Sequence, residues 1–508
     1  MKKNIAIIVQ CLYGGGAERI AGLLAKNLNK RYNVYLFLED TSNIIYDYAG
    51  KIVDLSIEGK DYIEYYLRFY KGKYDIDCAI SFLESANFMN IRTKGKECVI
   101  VSERCAQSPI RPCMYCQTAY IKMLYNYADR IVSVAHGVKY DLVNNYGVHE
   151  QLIQTIYNFI DKETIVEKSK EKIDNDILKF VGHSKVILNI GRMVQQKKQK
   201  KLITQFAKLI YEGEDVKLLI IGTGELEDEL IKTSESLGVD KYIKIIKYNN
   251  NPFPIYKLAT AIVMTSEYEG LPNVILEAML LGVPVIATDC LAGPRELLMC
   301  SENYQETICG YMVCRNGILV ERAPSDETGE TEYFKEAMKY ILHNDKMRSL
   351  IIHNAFNFMR AYNNQNILKK WIDVIENTVP SENRIAALVH PKIKQARKVI
   401  VYGAGYIGKQ VMQQYLEKNY NPEFLCYAVS KKTEDMEYIG GIPVYCIDDV
   451  VVYKKEALVL IGVSDKYSGE IISLLNQYGF CNIQVPILRC MSPKDIGGGI
   501  NKDAVSRV

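Results

Sequence analysis

Short, almost wholly apolar runs alternate with amphipathic stretches from one end of the chain to the other. NIAIIVQ at 4–10, NVYLFLED at 33–40, YDIDCAISFL at 74–83, ECVIVSERC at 97–105 and DRIVSVA at 129–135 each read as a buried strand. Helical periodicity fills the gaps, as in IAGLLAKNLNK at 20–30 and AYIKMLYNYA at 119–128. Continuous apolar strands separated by helical patterns predict a parallel sheet wound on both faces. QTIYNFID at 154–161 closes this first series, and the lysine-rich stretch 162–184 reads as a connection. A second series follows with SKVILNIGRM, VKLLIIGTGE, KYIKIIKY, AIVMTS, VPVIATD and GILV, then a helical run that includes NILKKWIDVIENT. A third opens at 398 with KVIVYGAG and continues through FLCYAVS, GIPVYCI and ALVLIGVS.

The expected fold class is therefore α/β, with two Rossmann-like units and a third, smaller one. The boundaries read as 1–165, 166–378, a linker at 379–396, 397–490 and a mobile tail at 491–508. A chain of 508 residues suits that division, since roughly 100 to 200 residues make a domain. The net charge of +3 gives no electrostatic basis for nucleic acid as a partner. Locally, residues 91–130 carry a basic surplus, which reads either as a solvated face or as a peripheral contact with an anionic membrane. Fourteen cysteines without a compact framework read as reduced thiols, and no run approaches the ~20 apolar residues that cross a bilayer. The expected location is the cytoplasm, at the inner face of the membrane if anywhere. Cys113 and Cys116 lack a second ligand pair, and Asp75 and Asp77 precede their strand, so neither pair reads as a metal site.

Chemistry concentrates where strands turn into helices. In SEYEGLPNVILEAMLLG, Glu269 and Glu277 stand eight residues apart across a helix start, with Gly270, Leu271, Pro272 and Asn273 between them. Pro272 suits the first helical position, and Gly282 ends the helix. Such a turn lies at the carboxyl edge of a parallel sheet, where ligands collect, and its free N–H groups attract phosphate. Arg192 and Lys197 follow another strand of the same series, and Gly222 and Gly224 follow a third. A guanidinium fork, an ammonium and a helix N-terminus together could hold a diphosphate with no metal. Gly14, Gly15 and Gly16 after the first strand allow positive φ and close approach of a ligand to the backbone.

On GGGAER at 14–19, SER at 102–104, YNFID at 157–161, LNIGRM with Lys197, IGTGE at 221–225, EGLPNVILEAM at 269–279, GPREL at 293–297 and NGILV at 316–320, the chain resembles glycosyltransferase family 4. These are retaining transferases of the GT-B fold, two facing Rossmann-like halves. The resemblance covers residues 1 to about 378. It implies that Arg192 and Lys197 bind the donor diphosphate, that Glu269 with Gly270 and Leu271 holds the donor sugar, and that Glu277 takes the ribose hydroxyls. It further implies that Gly14 to Gly16, Glu18 and Arg104 face acceptor or phosphate, and that the helix carrying Trp371 braces the first unit. Several members carry a histidine where this chain has Glu103 and Arg104, and Glu103 is the candidate to assist the acceptor hydroxyl.

The implied activity moves a sugar from a nucleoside diphosphate, UDP by expectation, to a polysaccharide or lipid-linked oligosaccharide, with no cofactor required. A nucleotide-sugar epimerase of the same fold and a non-catalytic nucleotide-sugar sensor are the alternatives. The third unit carries Gly403, Gly405 and Gly408 in the G-x-G-x-x-G spacing between strand and helix. NAD would want an acid about 20 residues on, and residues 428–432 offer none. This unit resembles the small nucleotide-binding domains of bacterial sugar acyltransferases, and a nucleotide, a nucleotide sugar or an empty site all fit it.

Overall fold

The computed structural model describes residues 2–56, 63–108, 121–122, 124–247, 251–299, 303–304, 306, 308–322, 332–382, 396–416, 420, 422–433, 436–463 and 465–484. Cys113, Cys116, Arg111, most of the expected linker and the expected tail at 491–508 lie outside the described residues.

Three sheets organise the chain. The first contains β1 Asn4–Val9, β2 Asn33–Leu38, β3 Lys51–Asp54, β4 Cys78–Phe82, β5 Cys98–Glu103, β6 Arg130–Ser133 and β7 Ile153–Thr155, in the order β3-β2-β1-β4-β5-β6-β7. All its pairs are parallel. The second contains β8 Lys185–Ile190, β9 Val216–Gly222, β10 Ile243–Lys247, β11 Ala261–Met264, β12 Val285–Thr288, β13 Tyr311–Val313 and β14 Ile318–Val320. Its order is β10-β9-β8-β11-β12-β14-β13, antiparallel only at β13–β14. Both orders reverse direction beside the first strand of the series, between β1 and β4 and between β8 and β11. At such a switch the flanking crossovers part to opposite faces and leave a crevice at the carboxyl edge. The apolar runs explain the strands' depth: Ile5 to Val9, Val99 to Val101 and Leu218 to Ile220 are fully buried, because helices cover both faces.

The third sheet comprises β15 Lys398–Tyr402, β16 Phe424–Val429, β17 Tyr438–Ile439, β18 Ile442–Cys446, β19 Leu458–Ile461 and β20 Ile483–Gln484, ordered β17-β18-β16-β15-β19-β20. Gly403 has φ +104°, and a Cβ on Gly408 would lie 1.9 Å from the Gly403 carbonyl oxygen, so these two glycines serve the turn and the helix packing. A Cβ on Gly405 would meet nothing within 4 Å.

The Asn364–Asn377 helix returns from the second unit to the first. Its Trp371 is buried and stacks on Phe82 with ring centroids 6.2 Å apart. At its far end the Glu376 carboxylate accepts from Tyr32 Oη and Lys3 Nζ, each at 2.7 Å. Just beyond, the Ser381 N–H donates to Asp129 at 2.7 Å, and Asp129 also pairs with buried Lys94 at 2.7 Å. The stretch 162–184 departs from the expected polar connection, since it folds into two short helices, Lys162–Lys168 and Asn175–Val181. Asp161 and Asp174 accept from backbone N–H groups at their first turns. Among the described residues, no helix is long and apolar enough to cross a membrane.

Candidate functional site

The carboxyl edges of the first two sheets face each other, and glycines set how closely they approach. A Cβ on Gly270 would sit 1.8 Å from the carbonyl oxygen of Arg104, and one on Gly137 would sit 2.2 Å from that of Leu291. A Cβ on Gly293 would sit 2.3 Å from the Gly270 carbonyl oxygen, and there φ is +85°. Three backbone segments from two units therefore stack with no room for side chains.

Lys197 and Glu269 meet in the crevice, with Nζ to Oε1 at 2.6 Å and both side chains mostly buried. Their placement is stitched by backbone. Lys197 ends a tight turn at Gln195–Lys197 that follows β8, and Thr265 Oγ1 donates to the Lys197 carbonyl at 2.8 Å. Gln196 donates its side-chain amide to the Tyr268 carbonyl at 2.8 Å, and the Glu267 N–H returns a bond to the Gln196 carbonyl at 2.9 Å. Lys198 sits at φ +49° to start the next helix, Gln199–Tyr211. The stretch QQKKQKK, polar enough for open surface, is thus fixed to the loop that carries Glu269. Arg192 is exposed at the mouth, close enough for its charge to act on Glu18 and Tyr268.

Glu277 lies on the Asn273–Leu280 helix, which starts one residue later than expected because Pro272, at ψ 115°, is the extended residue before it. Gly282 closes it at φ +73°. Glu277 is buried with both oxygens engaged. Arg19 of the first unit donates to Oε1 at 2.8 Å, and Tyr256 donates to Oε2 at 2.7 Å. Asn158 bridges the units again, giving its amide protons to the Leu271 carbonyl at 2.9 Å and Asn273 Oδ1 at 2.8 Å while accepting from Arg104. Burial pulls the Arg104 guanidinium down to about 10. A third bridge is Glu296, whose carboxylate accepts from the His136 and Gly137 N–H groups at 2.9 and 2.8 Å and from Tyr157 Oη at 3.0 Å. It caps the His136–Tyr146 helix from across the crevice.

Several expected residues stand differently. Of Gly14, Gly15 and Gly16 only Gly14 has positive φ, at +83°. The helix start behind them is covered, because a Cβ on Gly15 would lie 2.2 Å from a Glu18 carboxylate oxygen. Burial raises the Glu18 pKa, and the charges of Arg192 and Arg104 counteract it. Gly222 and Gly224 make room for neighbouring backbone: their Cβ atoms would lie 2.0 Å from the Gly191 and 2.3 Å from the Met193 carbonyl oxygens.

Glu103 is the clearest correction. It does not line the crevice: it is 1% exposed, its carboxylate accepting from Tyr125 Oη at 2.6 Å, Gln107 Nε2 at 2.8 Å and the Arg104 N–H at 2.9 Å. Burial, with the nearby Glu84 charge, pushes its pKa up to about 7. An acceptor hydroxyl does not reach it in this arrangement. The residues missed are Arg19, Tyr256, Asn158 and Glu296. Arg19, Asn158 and Glu296 sit inside the matching motifs GGGAER, YNFID and GPREL, which was the available signal, whereas Tyr256 had none. Among the described residues, no three His, Cys, Asp or Glu side chains cluster as metal ligands.

In chemical terms, Arg192, Lys197 and the Asn273–Leu280 helix start collect positive potential beside the Glu269 and Glu277 carboxylates. That combination suits a sugar joined to a diphosphate.

Comparison with known proteins agrees on the architecture. Residues 170–358 match the family described as "Glycosyl transferases group 1". The solved structure of Anabaena HepE in complex with UDP and glucose superposes with a TM-score of 0.58 at 16% identity, covering 74% of this chain and 100% of that one. WaaG, a glycosyltransferase involved in lipopolysaccharide biosynthesis, gives 0.55 at 14% identity, covering 73% of this chain and 99% of that one. The fold is GT-B. To the GT-B halves the chain adds the sheet β15–β20. In sequence it is similar to the Campylobacter jejuni N-acetylgalactosamine-N,N'-diacetylbacillosaminyl-diphospho-undecaprenol 4-alpha-N-acetylgalactosaminyltransferase, 27% identical over 388 residues, which are 72% of this chain and 98% of that protein. It is also similar to the lipopolysaccharide 1,6-galactosyltransferase of Salmonella typhimurium, 28% identical over 34% of this chain and 46% of that one. These matches support a glycosyltransferase.

Proposed function

We propose that the protein is a retaining, metal-independent glycosyltransferase of family 4 that moves a sugar from a UDP-sugar to a lipid-linked oligosaccharide or polysaccharide acceptor. The observation that carries this reading is the Lys197–Glu269 pair at 2.6 Å, held inside the crevice, with Glu269 eight residues ahead of Glu277. In the reaction, the bond between the anomeric carbon and the diphosphate oxygen breaks. The acceptor oxygen bonds to that carbon on the same face, and its proton passes to the departing phosphate. Negative charge grows on the diphosphate as this happens. In this reading Arg192, Lys197 and the helix N-terminus would meet it, and fixed groups of this kind commonly dominate a rate enhancement.

Glu269, with the backbone of Gly270 and Leu271, would orient the sugar hydroxyls, and Glu277 the ribose. Residues 1–165 would bind acceptor and 166–378 donor, with Asn273, Gly14 to Gly16, Glu18 and Arg104 around the shared crevice. The C. jejuni relative is named for an acceptor on diphospho-undecaprenol, and the HepE structure contains UDP and glucose. The UDP in HepE favours a nucleotide-sugar donor, and a lipid-borne acceptor like the one in the relative's name would bring the protein to the inner face of the membrane as a peripheral partner. The third unit, through Gly403, Gly405 and Gly408, would admit a nucleotide. The test is release of UDP from a panel of UDP-sugars in the presence of lipid-linked and polysaccharide acceptors. Turnover that survives a chelator supports the metal-free reading, and its abolition by a chelator contradicts it.

A further inference from the structure

We propose that Arg19 gates the nucleotide's entry: it is paired with the carboxylate that grips the ribose, and the donor must displace it to bind. The inference rests on the reading of Glu277 as the ribose residue. Arg19 is the fourth residue of the Gly16–Leu28 helix in the first unit, and Glu277 belongs to the second. Their ion pair at 2.8 Å therefore crosses the crevice. The Glu277 side chain is 8% exposed, and its other oxygen already takes the Tyr256 hydroxyl.

The space left beside the pair is small. Arg19, Phe159, Asn273, Leu276 and Glu277 line a cleft with only about 10 Å³ of free space. Pockets for drug-sized ligands run from roughly 300 to 1,000 Å³. A nucleoside does not fit while Arg19 is in place. Because the pair joins the two units, its release also loosens the crevice at that point. The ligand thus meets a competitor built into the protein, and a binding-competent form that is only partly populated lowers apparent affinity by that fraction.

Arg19 is here a residue controlling access, and its effect appears in affinity, separately from the chemical step. The test is calorimetric binding of UDP and of 2′-deoxy-UDP to the full chain, for the wild type and for Arg19→Ala, Arg19→Gln, Arg19→Lys and Glu277→Gln. Circular dichroism checks that each is folded. Removing Arg19 is expected to tighten UDP binding about fivefold, the size of a partly exposed ion pair. The wild type is expected to bind 2′-deoxy-UDP less well than UDP, and Glu277→Gln to erase that preference. Arg19→Lys, which keeps a charge on a shorter reach, is expected to fall between wild type and Arg19→Gln. UDP affinity that is unchanged or weaker in both Arg19→Ala and Arg19→Gln, with the 2′-hydroxyl preference intact, overturns the gate alone. Loss of that preference in the wild type, or its persistence in Glu277→Gln, overturns the ribose assignment on which the gate stands.

Discussion

Lys197 and Glu269 were each expected at one crevice because each follows a strand of one parallel sheet, and strand ends of one sheet share an edge; their ion pair was not legible. Glu103 follows a strand too, yet it is enclosed. Tyr125 and Glu84, which help enclose it, come from separate stretches, and no spacing in the sequence reports that they close over it. Its chemistry gives a prediction. A carboxyl whose pKa is raised by burial to about 7, from an ordinary value near 4.5, favours the folded state while it is protonated. Its contribution is complete below about pH 4.5 and is lost as the pH rises through 7. Glu103→Gln removes that loss, so its melting temperature relative to wild type is expected to be more favourable at pH 8 than at pH 5. An identical difference at both pH values would contradict the raised pKa. For the crevice itself, Lys197→Ala is expected to lower kcat about 100- to 1,000-fold with the fold unchanged by circular dichroism, the loss typical of one fixed group facing developing charge.

The long strands declared themselves through unbroken apolar runs, since burial on both faces leaves no polar alternation to blur them. The short ones did not. Lys51–Asp54, Ile153–Thr155 and Tyr311–Val313 have four, three and three residues, and neighbours decide their pairing more than composition does. The glycines showed the same division: G-x-G-x-x-G was readable as a strand-to-helix turn, but the demand for Gly270 comes from the Arg104 carbonyl of another unit. Gly270→Ala is expected to push the units apart at the crevice and to lower kcat/KM more than tenfold, measured by steady-state UDP release. Wild-type kcat/KM would mean that the close approach is not needed for turnover. The helix carrying Trp371 packs its indole on Phe82 in the first unit. Trp371→Ala leaves a cavity there, and denaturant unfolding is expected to show a loss of about 3–5 kcal/mol.

The assembled molecule is two doubly wound units closed on each other, with a third attached beyond residue 396. Its closure was the least legible feature. Arg19 and Glu277 stand 258 residues apart, and Glu296 reaches helix His136–Tyr146 from a different unit; only the folded arrangement brings such groups together. The motif order did foretell the fold, because each motif marks a strand end of a GT-B half. If the crevice transfers sugar from a UDP-sugar, one assay shows it directly. The most direct measurement is UDP release by the purified full chain from UDP-sugars, with and without lipid-linked acceptor, beside Lys197→Ala. Acceptor-dependent UDP release is expected, with the sugar recovered on the acceptor, nearly abolished in Lys197→Ala. Release of no UDP from any donor, or equal release by Lys197→Ala, would contradict that transfer.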